Sequence, residues 1–176
     1  MLIHKIIPAI KAKWPSEGPK VIFIQQDDCR AHISQDDEEW QSHYQQDGFT
    51  FILTQQPPNS PDCNILDLGF FRSIQSLMHK KMPKSIDNLI RAVEDAYNEL
   101  HPKTLSNVWM SLQYVMNEIL KAKGSNNYDV PHNKKKQLED NGDLEEQVKA
   151  PRWAVKDCVS LAYGEEYMNN MFGINV

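Results

Sequence analysis

The chain has 176 residues, a formal net charge of −5 and a hydrophobic fraction of 40%. That length fits one domain, or one domain with a tail. The acidic balance excludes a protein that grips nucleic acid by bulk charge. A mean hydropathy of −0.59 requires a large polar fraction to be housed somewhere. Cys29, Cys63 and Cys158 show no metal-finger spacing, and their odd number fits a reducing compartment better than a disulfide framework. The opening "MLIHKIIPAIKAKWP" breaks its apolar residues with Lys5, Lys11 and Lys13. It therefore reads as neither a signal peptide nor a membrane span, and a soluble intracellular chain is expected.

Residues 2–14 place Ile3, Ile6, Ile7 and Ile10 at helical spacing, with Pro15 as the stop. After "PSEGP", the run "KVIFI" is continuous, β-branched and aromatic, which suits a strand covered on both faces. "SQDDEEWQSHYQQDG" then predicts a solvent-facing helix, with Ser34 as its cap and Gly48 as its end. Its acids at 36–39 suit the N-terminal dipole, and Trp40 and Tyr44 would be its contacts to the body. "FTFILT" supplies a second short strand. A strand, a helix and a strand at this spacing form a βαβ unit, so the two strands are expected to be parallel.

"QQPPNSPDCN" follows as a stiff loop with three prolines. It leads into a helix over "ILDLGFFRSIQSLMHKK", with Phe70, Phe71, Ile74, Leu77 and Met78 as one stripe. Pro83 and Ser85 begin another helix, in which Ile86, Leu89, Ile90, Val93, Tyr97 and Leu100 are expected to face inward. A third carries Leu105, Val108, Trp109, Leu112, Val115, Met116, Ile119 and Leu120, and Gly124 closes it. From residue 125 to 150 the composition turns polar, with lysines at 134–136 and an acidic stretch over 139–146. This predicts a loosely ordered extension. "RWAVKDCVSLAYGEEYM" reads as a last short helix.

The chemistry gathers at "VIFIQQDDCRAH", residues 21–32. Asp27 and Asp28 stand at the end of an apolar strand, and two buried like charges are costly unless a cation or hydrogen bonds hold them. In a parallel βαβ layout, functional groups collect at the C-terminal edge of the strands, where Asp27 falls. Asp67, at the start of the helix bearing Phe70, Phe71 and Ile74, is expected on that helix's buried face and is the candidate partner carboxylate. Simpler readings stand beside these. Asp commonly starts turns, and Asn64 with Asp67 three residues on resembles a capping box. Arg30 and His32 are candidates for phosphate contact or for pairing with the local acids.

Taken together, "IQQDDCRAH" and "QQPPNSPDCNILDLGFFRSIQS" resemble the catalytic domain of mariner-like transposases, specifically the plant-type branch. In that family a "QQD" strand end supplies the second catalytic aspartate, and the "LD" after "PPNSPDxN" supplies the third. Those positions here are Asp27 and Asp67, with 39 residues between them, the plant-type spacing. The similarity runs from about residue 5 to about residue 144 and includes "IPAIKAKWP", "KGSNNYDVPH" and "KKKQLE". It implies an α/β chain with an RNase H-like fold in which three acidic residues hold two Mg²⁺ (or Mn²⁺) ions. Two such ions activate a water or a DNA 3′-hydroxyl and stabilise the leaving oxygen of an in-line displacement. Asp27 and Asp67 would then be metal ligands, the partner would be transposon-end DNA, and the site of action would be the nucleus.

The family's first aspartate lies on a β-meander upstream of the helix that opens this sequence, and a helix-turn-helix DNA-binding region lies further upstream. The expected architecture is therefore an incomplete RNase H-like fold: a βαβ core lacking the first three strands, followed by a helical region. Residues 1–124 form the partial catalytic domain, and 125–176 form a polar extension with a short terminal helix. Without the meander, one side of the 21–24 strand is an unpaired apolar edge, to be covered by a missing N-terminal segment or by a second copy in a homodimer. The sequence also departs locally from the family. Asp28 stands where Asn is usual, Cys29 and Ala31 where Ala and Pro are common, and Cys63 where Leu is common.

Three functional readings follow. One is a DNA transposase fragment, inactive alone for want of the first carboxylate. The second is a non-catalytic, transposon-derived module that binds protein or nucleic acid. The third is a hydrolase using Asp27 and Asp67 as general acid and base. For DNA contact, Lys80 and Lys81, with Lys84, Lys121, Lys123 and the lysines at 134–136, form a candidate phosphate-facing stripe. Lysines near helix ends equally serve as solvated caps favoured by the helix dipole.

Overall fold

A computed structural model describes residues 1–27, 29–131, 138, 140–142 and 147–173. Asp28 and the lysines at 134–136 lie outside the described residues. The chain is α/β, predominantly helical, with one small mixed sheet. It divides into two compact units, Met1–Asn59 and Ser60–Val176, the division along the chain falling within the proline-rich loop. No helix among the described residues is long and apolar enough to cross a membrane.

In the first unit the opening helix forms as expected, a π turn over Leu2–Ile6 running into α1 (Ile7–Lys13). The strands are β1 (Val21–Gln26), β2 (Gln45–Gln46) and β3 (Phe49–Gln55), in the order β1-β3-β2. The expected parallel pairing is present, with Ile22 opposite Phe51, Ile24 opposite Leu53 and Gln26 opposite Gln55. Helix residues Ile3 and Ile7 join Trp40, Ile22, Phe49, Phe51 and Leu53 in one buried cluster. Phe49 and Phe51 stack with centroids 5.8 Å apart.

Two expectations for this unit are corrected. The strand β1 is covered on one face only: Ile22 is buried, whereas Val21 is 49% and Phe23 64% exposed. As a short edge strand its side chains alternate between a packed and an open face, despite the unbroken apolar run. The helix predicted over 34–48 shrinks to the single turn α2 (Glu38–Gln41), capped by Asp37, whose Oδ1 accepts from Trp40 N–H at 3.0 Å, and not by Ser34. The rest becomes a hairpin. Asp47 (φ 51°) and Gly48 (φ 78°) form a two-residue left-handed turn that pairs β2 antiparallel to β3. Asp-Gly is a strong hairpin signal because both central residues need positive φ. Lys11 of α1 secures it, donating to Gln46 Oε1 at 3.0 Å and pairing with Asp47. Trp40 is buried as expected, with Tyr44 packed beside the cluster.

The second unit is helical. It contains α3 (Phe71–Lys80), entered through a π turn at Leu66–Phe70, then α4 (Ile86–Glu99) and α5 (Pro102–Lys121). The terminal segment forms α6 (Arg152–Tyr163) and α7 (Glu165–Phe172), two helices broken at Gly164. Ser85 caps α4, accepting from Asn88 N–H, and His101 Nδ1 caps α5, accepting from Lys103 N–H. Gly69 permits a close approach of α5: a Cβ there would stand 3.0 Å from Val108 Cγ2.

The stripe of α4 expected to face inward is exposed, from Ile86 (78%) to Tyr97 (62%). The buried residues of this helix are Ala92 and Ala96, which pack toward α3. Small residues allow close helix approach and so displace the larger apolar stripe sideways. On α5, Val108, Leu112 and Val115 are buried as expected, joined by Met110 and Asn117, while Trp109 and Met116 stay exposed. Residues near 148 are fastened to α5: Asn117 Nδ2 donates to Lys149 O at 3.2 Å, and Gln113 Oε1 accepts from Val148 N–H at 2.8 Å.

Trp40 is the largest side chain in the first unit's core. Trp40→Ala is expected to cost about 3–5 kcal/mol through lost burial and the cavity left behind. The check is the urea midpoint of the unit's unfolding transition, and an unchanged midpoint would refute the packing role.

Candidate functional site

Asp27 directly follows β1, at the C-terminal edge of the parallel pair. It sits there because the ladder ends at Gln26 and Gln55, after which the chain must turn away. Gln26 is buried, and its Nε2 donates to Ile33 O at 2.7 Å, which folds the loop back under the strand. The Asp27 side chain remains 48% exposed. Its Oδ1 accepts from Cys29 N–H at 3.0 Å and lies 2.7 Å from His32 Nε2. The backbone adds a bond from His32 N–H to Cys29 O at 2.9 Å. Asp27 is thus the pivot of an Asx turn closed by His32, the local pairing that the sequence left as one option. Arg30 is exposed beside it.

Asp67 belongs to the other unit and is exposed, not on the buried face of its helix. The reason is local. The helix enters through a π turn, and Asn64 organises it: Asn64 Oδ1 accepts from Leu66 N–H at 3.0 Å, and Asn64 Nδ2 donates to Asp67 Oδ2 at 2.9 Å. This is close to the capping-box alternative, with the carboxylate holding the cap side chain.

Of the candidate DNA-contacting lysines, Lys81 is engaged. Its Nζ donates to Glu99 Oε1 at 2.7 Å and Asp95 Oδ2 at 3.4 Å, joining the end of α3 to α4. The hydrogen bond to Glu99 leads the effects that raise its pKa. Lys121 pairs with Glu118 and Lys123 with Asp157, while Lys80 is exposed. In the second unit, a groove of about 580 Å³ runs between α3 and the first half of α5, lined by Arg72, Ser73, Ser76, His101 and Thr104 among others. Asp67 does not line it.

A contact that the sequence reading missed ties the polar segment after α5 to the proline loop. Tyr128 O–H donates to Asp62 Oδ2, beside Cys63 in a 3₁₀ turn (Pro61–Cys63). Burial, followed by Asp62, raises the Tyr128 pKa well above its usual range. Burial likewise pushes the Cys63 thiol up, with Asp62 adding to it. Tyr128 lies in "NNYDVP", whose polar composition hid a single anchoring aromatic residue.

A divalent-metal centre needs several hard oxygen ligands. Among the described residues no group of three or more His, Cys, Asp or Glu side chains is arranged to hold a metal ion. The carboxylates of Asp27 and Asp67 each have a local hydrogen-bond partner. The chain matches no protein-family model, no curated protein and no solved structure.

The Tyr128–Asp62 contact has a signed pH dependence. The folded phenol is held above its usual value of 10.0, while the unfolded phenol titrates near it. The stabilisation tied to the neutral phenol, set first by its burial and then by Asp62, is therefore fully present below about pH 10 and is lost as pH rises past it. Thermal melts across that range should show a steeper alkaline fall for the native chain than for Tyr128→Phe. Identical slopes would count against the contact.

Proposed function

We propose that the chain supplies the second and third metal-ligating aspartates, Asp27 and Asp67, of a mariner-type phosphoryl transferase that cleaves and joins DNA in the nucleus. In this reading the small mixed sheet is part of an RNase H-like framework. The observation that carries it is the position of Asp27, immediately after β1 at the C-terminal edge of a parallel strand pair. Open α/β sheets gather functional groups at that edge. The block "PPNSPDCNILDLGFF" supports Asp67 as the third ligand. Arg30 and Lys80, both exposed, are the retained candidates for phosphate contact, since Lys81 is engaged by Glu99 and Asp95.

The 176 residues contain no counterpart of the family's first aspartate. Two carboxylates are fewer than a two-ion site uses, so this chain alone does not cleave DNA. A second reading, a non-catalytic interaction module, draws on a different observation: both aspartates are already held by neighbouring residues.

Mn²⁺ titration followed by amide resonance broadening separates the two. The metal reading expects broadening around both Asp27 and Asp67, with the effect at residue 27 lost in Asp27→Asn. Absence of broadening at either position would sink it and leave the interaction module. In a plasmid-nicking assay with Mg²⁺ or Mn²⁺, the purified chain is expected to be inactive. Cleavage that disappears in Asp27→Asn would overturn that expectation.

A further inference from the structure

The large apolar residues of α4 stay exposed: Ile86 by 78%, Ile90 by 54%, Val93 by 40% and Tyr97 by 62%. They recur at spacings of four, three and four. That alternation is the seam of a coiled coil, in which one helix lays its apolar row against the row of another. Ala92 and Ala96, which pack α4 toward α3, lie beside this seam and not on it. The exposed area of Ile86, Leu89, Ile90, Val93 and Tyr97 is on the order of 500 Å², the size at which an apolar patch marks a contact surface. Phe70, edge-on to Tyr97 at 6.5 Å, and the half-exposed Phe71 continue it.

Charge identifies the partner. Asp87 and Glu94, the residues after Ile86 and Val93, flank the seam by helical period, and both are exposed. Neither forms an ion pair among the described residues, whereas Asp95 and Glu99, further round the helix, are taken up by Lys81. Arg91 turns away and lines a small concavity with Lys84 and Asn88. The open flank of the seam therefore carries acid and no base, and its other flank is the α3 side. A second copy does not supply the missing charge. In an antiparallel pair like flanks meet, so Asp87 and Glu94 face the same acids. In a parallel pair they face Leu89 and Ala96.

We propose that α4 docks a helix of another protein whose apolar seam is flanked by lysine or arginine. The partner's apolar row covers Ile86, Ile90, Val93 and Tyr97, and its cations pair with Asp87 and Glu94. Burial of the seam supplies the affinity, and the flanking charges set partner choice. The seam extends over only about three helical turns, so the contact is weak and sensitive to salt. The proposal does not depend on the metal reading of Asp27 and Asp67.

The probes are two synthetic helical peptides with the same leucine seam, one with lysine at every flanking position and one with glutamate. Like flanking charges keep each peptide from pairing with itself. Binding to the full chain is read by fluorescence anisotropy and located by amide resonance shifts. The lysine peptide is expected to bind with a Kd of roughly 10–100 μM, to shift resonances over 86–97, and to weaken as salt rises. The glutamate peptide should bind at least about tenfold more weakly. Ile90→Asp should lose the lysine peptide although it adds a negative charge, and the double variant Asp87→Lys, Glu94→Lys should reverse the preference. Glu165→Lys with Glu166→Lys, the same charge change on α7, should leave binding unchanged. The proposal is overturned if the lysine peptide fails to bind at about 300 μM, or binds without shifting the α4 resonances. It is equally overturned if Ile90→Asp binds as the native chain does, if the reversed flanks still prefer lysine, or if the α7 variant loses binding to the same extent. A dimer seen in sedimentation and abolished by Ile90→Asp assigns the seam to a second copy, which also overturns it.

Discussion

Parallel pairing of β1 with β3 is the constraint on which the first unit depends. Two parallel strands cannot be joined by a tight turn, so the chain must travel back along the sheet between them. Residues 27–48 make that return, with α2 and β2 along the way. A long crossover helix is not required. One helical turn buries Trp40 against the sheet, and the Asp47–Gly48 reversal then delivers the chain into β3. The same constraint places Asp27 where the ladder stops, and it leaves β1 with an edge.

The two aspartates show how a polar residue at an element boundary acquires a local partner. Asp27 ends a strand and closes a turn with Cys29 and His32. Asp67 begins a helical segment and is engaged by the side chain that organises its entry. Both arrangements satisfy carboxylate oxygens with donors only two to five residues away. A metal ligand in a hydrogen-bonded turn is compatible with these contacts, since a carboxylate has lone pairs for more than one donor. What the local contacts remove is any need for a metal to explain either residue.

The helical unit depends on small residues as much as on large ones. Ala92 and Ala96 bring α4 against α3, and Gly69 brings Val108 close to the π turn. Periodicity locates an apolar stripe but not the part of it that a neighbour covers. The stripe of α4 was legible and its burial was not, because the contact ran through alanines that hydropathy barely distinguishes. Tyr128 was hidden for a related reason: one aromatic residue with a partner 66 positions away leaves no periodic trace.

By itself the sequence determined the strands β1 and β3 and their parallel sense, the start of α4, and the positions of Asp27 and Asp67 at element ends. These are local or nearly local properties, set by side-chain period, capping residues and connection length. Tertiary structure decided that β1 is packed on one face only, that residues 42–48 enter a hairpin and not a helix, and that α4 buries Ala92 and Ala96 in place of its larger apolar stripe. Each of those outcomes depends on which surfaces meet: Lys11 reaching Asp47, Trp40 entering the core, Gly69 admitting Val108. Contacts between residues distant in sequence overrule local preference because burial and paired charge outweigh the fractions of a kcal/mol that propensity supplies.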